Sequence, residues 1–487
     1  MAQRVLERPE TWGETMRSIE QLYINGGFVK PHGTEVAELI NPTTEAVIAT
    51  LILADAEDTQ RAIASAKAAL PSFAKSTKEE RIAMLKRLNE AVLARTDKLR
   101  DITVEEYGGP LSRATWIAQY SSQAFLDAAQ TLESYDFVRR MGRSSVVMEP
   151  VGVSALIIPW NSVAGTICSK LAMAIAAGCT VVIKPSELGA LQAQVVTEAL
   201  HDAGLSPGVL NVVNGRGDVV GGELAANPDV ARISFTGSTA IGKVILRTAA
   251  ETMKRVSLSL SGKSPTIILD DANFAEAVPM ALNAAFMNNG QACIAGTRLF
   301  VPEKRLQEVI ELVKIAVGKM KVGDPHDKET TIGPMANSRH LARVQRYISI
   351  GLKEGATLVT GGEGRPEGLD RGYFVKPTVF ANVRNEMTIA KEEIFGPVLS
   401  ILTYRDEEEA IRLANASDYG LHAYVFSSNV PRANAVATRL EAGRVMVNTL
   451  QNDALAPFGG YKQSGFGREF GLLGLESFLE PKAIIGN

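Results

Sequence analysis

Hydrophobic positions recur along this chain in two registers, a helical one and a strand one, and the two take turns. Thr77 to Glu80 has the form of a capping box, in which a threonine hydroxyl and a glutamate three residues on satisfy the first free amides of a helix. Ile82, Leu85, Leu88 and Val92 then follow at helical spacing. From about residue 150 the alternation sharpens. VSALIIP reads as an apolar strand, and an Ala-rich helix ending at Gly178 comes next. TVVIKP, VLNVVN and ARISFTG are further short β-branched strands, each leading into a helical segment. Strands that are apolar on both faces and alternate with helices predict a parallel sheet covered by helices. A second series, TIILD, RLFV, LSIL, AYVFS and RVMVN, runs from about Thr266 to Asn448. Two α/β domains with a boundary near 255–265 are expected. No fixed-period repeat and no low-complexity segment breaks the pattern.

Two stretches fit neither series. SSVVMEP alternates weakly, as the strand of a projecting hairpin would, and the C-terminal SFLEPKAIIGN is short and partly apolar. Either is a candidate edge for pairing with another subunit, because an unpaired edge is usually covered or used. Packing within the chain is the equal alternative.

Composition narrows the class. The 487 residues suffice for two or three domains. Apolar content is 46%, with no run near the length of a membrane span. The N-terminal MAQRVLERPETWG mixes charges and lacks an apolar h-region, so no secretory signal is expected. Net charge is -3, and no basic cluster is dense enough for nucleic acid. Cys168, Cys179 and Cys293 form no CxxC pair and no disulfide framework, which suits a reducing, cytoplasmic compartment. The histidines are scattered singly and no HExxH occurs, so no metal site is expected. A small-molecule partner is the remaining class.

The segment FMNNGQACIAGTR, Phe286 to Arg298, carries the clearest chemistry. Asn288, Asn289, Gly290 and Gln291 precede Cys293 at the end of an apolar helix that starts near Phe274. A polar or electropositive setting favours a reactive thiolate, whereas a packing cysteine usually sits in an apolar run. The residues alone leave a presented nucleophile and a buried thiol both open. FTGSTAIG, Phe235 to Gly242, ends a strand and opens a helix, where glycines and free amides suit a phosphate. NGRGDVVGG, Asn214 to Gly222, looks nearer to a dinucleotide fingerprint, but its third glycine is at the wrong spacing and it reads as a decoy. IIPWNS puts Asn161 at the carboxyl edge of the sheet, where ligands of open α/β sheets bind and where an amide can donate to an oxyanion. A turn-forming asparagine is the other reading. IKPSE places Lys184 and Glu187 three residues apart, as a ribose holder or a surface ion pair.

Taken together, IIPWN, IKPSE, FTGSTAIG, GKSP, FMNNGQACIAGTR, KEEIFGPV, VNT and PFGGYKQSGFGRE resemble, in order and spacing, the NAD(P)-dependent aldehyde dehydrogenases over nearly the whole chain. The resemblance implies a fold of two parallel-sheet α/β domains, one Rossmann-like for NAD and one catalytic, plus a small oligomerisation β-hairpin. The NAD domain would be residues 1–128 and 150–260, the catalytic domain 261–465, and the oligomerisation segments 129–149 and 466–487. The assembly would be a homodimer or a homotetramer.

Residue by residue, Cys293 resembles the thiol that attacks the aldehyde carbonyl, and Asn161 with the Cys293 amide the oxyanion hole. Hydride would leave the thiohemiacetal for the cofactor, and a thioester would remain. Cofactor contacts would fall on Pro159, Trp160, Lys184, Ser186, Glu187, Thr236, Gly237, Ser238, Gly242, Glu393 and Phe395. Of these, Lys184 and Glu187 would hold the adenosine ribose, and Glu393 the nicotinamide ribose. Glu187 repels a 2′-phosphate, so NAD is favoured, while Lys184 leaves NADP open. Ser162, Val163 and Ala164 stand where many relatives have an aromatic residue and a proline, which argues against a quaternary ammonium substrate such as betaine aldehyde. Met287, Ile294, Leu455 and Phe458 would form a mainly apolar pocket for aliphatic or aromatic aldehydes.

One departure matters. Hydrolytic relatives read like LELGGK where this chain reads LSLSGK, so Ser259 replaces the general-base glutamate and Ser261 a glycine. A positioned base contributes about 10²–10⁴-fold, so thioester hydrolysis is expected to suffer most. Three accounts stand: an introduced replacement that traps an intermediate; Glu469 serving as substitute base; or transfer of the acyl group to coenzyme A. Ala292 before the cysteine resembles the hydrolytic branch, which favours the first two. A cofactor-binding protein with little turnover is the rival from another class.

Overall fold

The computed structural model describes residues 17–486, and the N-terminal segment in which no secretory signal is expected lies outside them. The first apolar series forms the parallel centre of an eight-stranded sheet. Its order is Gly465–Phe466, Arg255–Ser259, Arg232–Thr236, Ser154–Ile157, Val181–Lys184, Leu210–Val212, Leu22–Ile24 and Gly27–Val29. The five strands from Arg255–Ser259 to Leu210–Val212 run parallel, and short antiparallel strands close both edges. The second series forms a seven-stranded sheet, parallel apart from its Thr357–Thr360 edge.

Period-two geometry explains why these strands read as unbroken apolar runs. Val181 and Ile183 pack into the core on one face of the first sheet, while Val182 packs into the core on the other. Ile267 and Leu269 likewise point away from Ile268 in the second sheet. Helices cover both faces, so the central strands Ser154–Ile157, Val181–Lys184 and Pro265–Ile268 are buried along their whole length. The capping box is formed, with Thr77 Oγ1 accepting from the Glu80 amide at 3.1 Å and Glu80 accepting from the Thr77 amide at 2.7 Å. The Ala-rich helix Val163–Ala177 stops at Gly178, which takes φ +86°.

In the first sheet the chain lays its strands outward from Ser154–Ile157 in one direction and then returns to lay Arg232–Thr236 on the other side. The crevice at this reversal is where open α/β sheets bind ligands. The IIPWN and FTGST turns leave its two strands side by side.

Two expectations are corrected. Helix Leu111–Glu133 continues through residue 129, and the hairpin strands are Val138–Met141 and Ser144–Pro150, so the hairpin begins later than expected and takes in residue 150. The segment from 466 onward, expected to serve oligomerisation as a whole, divides between the body of the chain and the hairpin sheet. Gly465–Phe466 completes the edge of the first sheet, Leu475 and Phe478 enter its core, and Leu479–Ile485 pairs in full register with Ser144–Pro150. Among the described residues no helix is long and apolar enough to cross a membrane.

Candidate active site

Cys293 follows a short turn, Met287–Gly290, in which Asn288, Asn289 and Gly290 all take left-handed φ of +55°, +61° and +71°. Asparagine tolerates that region better than other side chains, and at Gly290 a Cβ would come within 2.2 Å of Gly396. The polar residues that looked exposed in sequence are buried. Asn289 donates to the carbonyls of Gly108 and Pro334 at 3.1 Å each and accepts from the Gly333 amide at 2.7 Å. Gln291 donates to the Tyr107 hydroxyl at 3.0 Å and accepts from the Ala336 amide at 2.9 Å. They brace the loop rather than solvate the thiol.

Nor is the setting of Cys293 electropositive. Burial pushes its thiol up to about 12, and the Glu393 carboxylate adds to the shift. It is a protonated thiol at neutral pH. Asn161 Nδ2 donates to the Gln291 carbonyl at 2.9 Å, and Asn288 Nδ2 returns a bond to the Asn161 carbonyl at 3.0 Å. This reciprocal pair ties the end of the Ser154–Ile157 strand to the cysteine loop. An amide nitrogen carries two hydrogens, so Asn161 keeps one donor for a ligand. At Gly262 a Cβ would meet the Cys293 carbonyl oxygen at 2.3 Å, so only glycine lets the chain leaving Ser259 pass beside the cysteine.

Two cavities meet at Cys293, and Ser259 and Asn161 line both. The cavity at the sheet crevice measures about 1130 Å³. It is lined by Pro159, Trp160, Lys184, Ser186, Thr236, Gly237, Ser238, Glu393 and Phe395 among the residues expected from sequence. Two expected residues lie off this wall. Gly242 packs helix Thr239–Ala250 against the sheet, since a Cβ there would sit 2.6 Å from Leu260. Glu187 is turned to Lys184 Nζ, 2.9 Å away, and meets the cavity only through it.

The segment read as a decoy does reach the wall: Gly217, Gly221 and Gly222 line it, and nothing lies within 4 Å of a Cβ built on any of them. Fingerprint spacing failed here because the turn is a π-helical one, Gly217–Gly221, rather than a phosphate loop. His340 was missed altogether. Its ring lies 5.3 Å from Trp160 and 5.8 Å from Phe395, and burial holds it neutral by lowering its pKa to about 4. A single histidine on a helix carries no sequence signal of this.

The second cavity, of about 940 Å³, opens on the other side of the thiol. Met287, Ile294 and Phe458 line it as expected, but Leu455 does not and is 45% exposed. Its wall is also more polar than expected, because helix Leu111–Glu133 turns Arg113, Gln119, Gln123 and Asp127 to it. Glu469 lines it too and accepts from Lys170 Nζ at 2.6 Å. The Lys170 ammonium is buried and also donates to Ser234 Oγ at 2.7 Å. The Ser259 hydroxyl is buried with no hydrogen-bond partner, at the end of a strand that faces both cavities. Glu393 is half-buried, accepts from the Gly262 amide at 2.9 Å and from Ser261, and desolvation raises its pKa.

A thiol between a crevice with a Gly-rich wall and a separate cavity, with the half-buried carboxylates Glu393 and Glu469 on their walls, is an arrangement for covalent chemistry on a small molecule. Comparison with known proteins agrees. The chain is 44% identical to a 3-succinoylsemialdehyde-pyridine dehydrogenase of a Pseudomonas species, over 97% of this chain and 99% of that one. It superposes on aldehyde dehydrogenase C of Pseudomonas syringae, crystallised as a cysteine-to-alanine mutant with NAD+ and octanal, with a TM-score of 0.94, 44% identity and 96% coverage of each chain. An aldehyde dehydrogenase of Mycobacterium tuberculosis complexed with NAD+ also gives a TM-score of 0.94, at 38% identity, covering 97% of this chain and 99% of that one. The model of the aldehyde dehydrogenase family matches residues 28–484, and the chain belongs to that family.

Proposed function

We propose that this protein oxidises an aldehyde to a carboxylic acid with NAD, through a thioester on Cys293 that is released slowly. The observation that carries the reading is the single thiol shared by two cavities, with no carboxylate on the strand end between them. The crevice fits NAD: its glycines leave open space at Gly217, Gly221 and Gly222, its volume is that of a small-ligand site, and Lys184 is buried at its wall. Lys184 and Glu187 would hold the adenosine ribose, Ser238 and the first turn of its helix the pyrophosphate, and Glu393 the nicotinamide ribose. Bound NAD supplies the hydride acceptor.

The protein's own groups do the rest. Cys293 gives up its proton and its sulfur bonds to the carbonyl carbon, while Asn161 Nδ2 and the Cys293 amide receive the oxyanion. Hydride departs and a thioester remains. Water then attacks the thioester, the C–S bond breaks, and the sulfur returns with the acid released, so each turnover consumes one water and yields two protons. Glu469 acts as base for the water. It already accepts from Lys170 Nζ at 2.6 Å, and this engagement supports slow deacylation. Octanal in one relative and a semialdehyde in the name of another support a substrate of several carbons. The hairpin sheet, with Val138, Met141 and Ile485 exposed along it, supports assembly as a homodimer or homotetramer.

Rapid mixing with NAD and an aldehyde panel tests this. An NADH burst equal to the sites, then slow turnover, is expected. No burst with any aldehyde overturns the reading in favour of a binding protein, and acceleration by coenzyme A in place of water overturns the hydrolytic step.

A further inference from the structure

Charge in the second cavity does not balance. Glu469 is matched by Lys170, which leaves two guanidiniums, Arg113 and Arg444, and one carboxylate, Asp127. Among the described residues neither arginine has a carboxylate at ion-pair distance; the titratable groups beside Arg113 are the neutral phenols of Tyr107 and Tyr120, while Asp453 acts on Arg444 from longer range. Asp127 is no counterion for Arg113. It lies on the same helix, four turns on, roughly 21 Å away at about 1.5 Å per residue, which is beyond the screening length of about 8 Å at physiological salt. Its partner is Gln123, at 3.0 Å.

The two arginines differ in what remains free. Arg444 spends its fork on the loop after its strand, bonding Asn452 Oδ1 at 2.6 Å and the carbonyls of Asp453 and Ala456. The Arg113 guanidinium carbon lies over the Trp116 ring, 4.2 Å from its centroid, and Trp116 in turn stacks on Tyr120 at 5.0 Å. Its Nε is buried without a hydrogen-bond partner. A desolvated guanidinium set over an aromatic face, with an unused donor and no counterion, is costly unless something anionic completes it. A carboxylate matches its fork with two parallel hydrogen bonds. The wall beside it is also polar: Arg113, Trp116, Gln119, Tyr120, Gln123 and Asp127 follow helical spacing and make one face of the helix.

We propose that the substrate is an aldehyde that also carries a carboxylate, and that Arg113 binds that carboxylate while Cys293 takes the aldehyde carbon. This rests on the aldehyde oxidation proposed above and names its substrate class. The test compares ω-oxocarboxylates with alkanals of the same chain length, reading both the NADH burst and kcat/KM. The oxocarboxylates are expected to be the better substrates by about 10- to 100-fold, the discrimination that a charge-assisted hydrogen-bonded pair gives. Arg113→Met erases most of that difference, mainly through KM, and Arg113→Lys restores part of it. Calorimetry with a saturated dicarboxylate, which resembles the product and needs no turnover, shows binding to the unaltered protein and loss with Arg113→Met. Higher salt weakens the preference. If alkanals are used as well as or better than oxocarboxylates, or if Arg113→Met lowers both equally, the assignment to Arg113 is overturned while aldehyde oxidation stands. If no aldehyde of either kind gives a burst, it is the oxidation reading that falls.

Discussion

At the scale of single residues, the proposed kinetics turn on Cys293 and Ser259. Burial pushes the thiol up to about 12, so the thiolate is a small minority at neutral pH. Protonation is favoured below that value, and the thiolate fraction grows about tenfold with each pH unit. Alkylation of Cys293 by iodoacetamide is therefore expected to rise with a log slope near one through the alkaline range; a plateau near neutrality contradicts the buried-thiol setting. Ser259→Glu restores a carboxylate between the two cavities and is expected to raise steady-state turnover by about 10²–10⁴-fold with the burst amplitude unchanged. An unchanged steady state places the slow step elsewhere. Glu469→Gln lowers steady turnover further and also leaves buried Lys170 without its anion, a loss of about 3–5 kcal/mol for a buried pair, read as a lower urea midpoint. The cysteine as a candidate was legible from its neighbours. Its environment was not, because Asn288, Asn289 and Gln291 are polar in sequence and buried in the loop they brace.

Among elements, the turn before the cysteine is the one most exposed to substitution. Gly290→Ala meets both a left-handed φ and a backbone contact at 2.2 Å, so the loop must shift. Loss of burst amplitude together with a lower Tm is expected, and a burst of full size contradicts the contact. Asn289→Ala removes the acceptor of the Gly333 amide and the donor to two carbonyls; a loss of about 1–3 kcal/mol is expected in urea unfolding. Strands were the most legible elements, since β-branched runs such as TVVIKP bury both faces. The two-residue strand Gly465–Phe466 had no periodicity to read and exists because the edge of Arg255–Ser259 needs a partner. The Gly217–Gly221 turn shows the converse, a motif rejected on spacing whose glycines line the crevice through a different backbone shape.

For the whole molecule, the C-terminal strand Leu479–Ile485 is the joint between the hairpin and the body of the chain. It pairs residue for residue with Ser144–Pro150, and Arg255–Glu480 and Lys482–Glu149 ion pairs flank it. Deleting residues 479–487 strips one edge from the hairpin sheet. Sedimentation is expected to show a smaller assembly for the deleted chain than for the full one; an unchanged mass removes the hairpin sheet from the interface. The sequence reading had weighed pairing with another subunit against packing within the chain. The strand packs within its own chain, and the outer edge of Val138–Met141 and the far side of the C-terminal strand stay free.

By itself the sequence determined the two parallel sheets, the order of their strands along the chain and the cysteine as a candidate, because these follow from local periodicity and from motifs that need no partner to be read. Only the tertiary structure decided which groups face each other. It set the thiol between two cavities beside Glu393, packed Gly242 against Leu260, turned Leu455 out of the second cavity, and brought His340 against Trp160. It also left Arg113 in the second cavity without a counterion. Burial, pairing and desolvation depend on atoms far apart in the chain, and no stretch of sequence carries them.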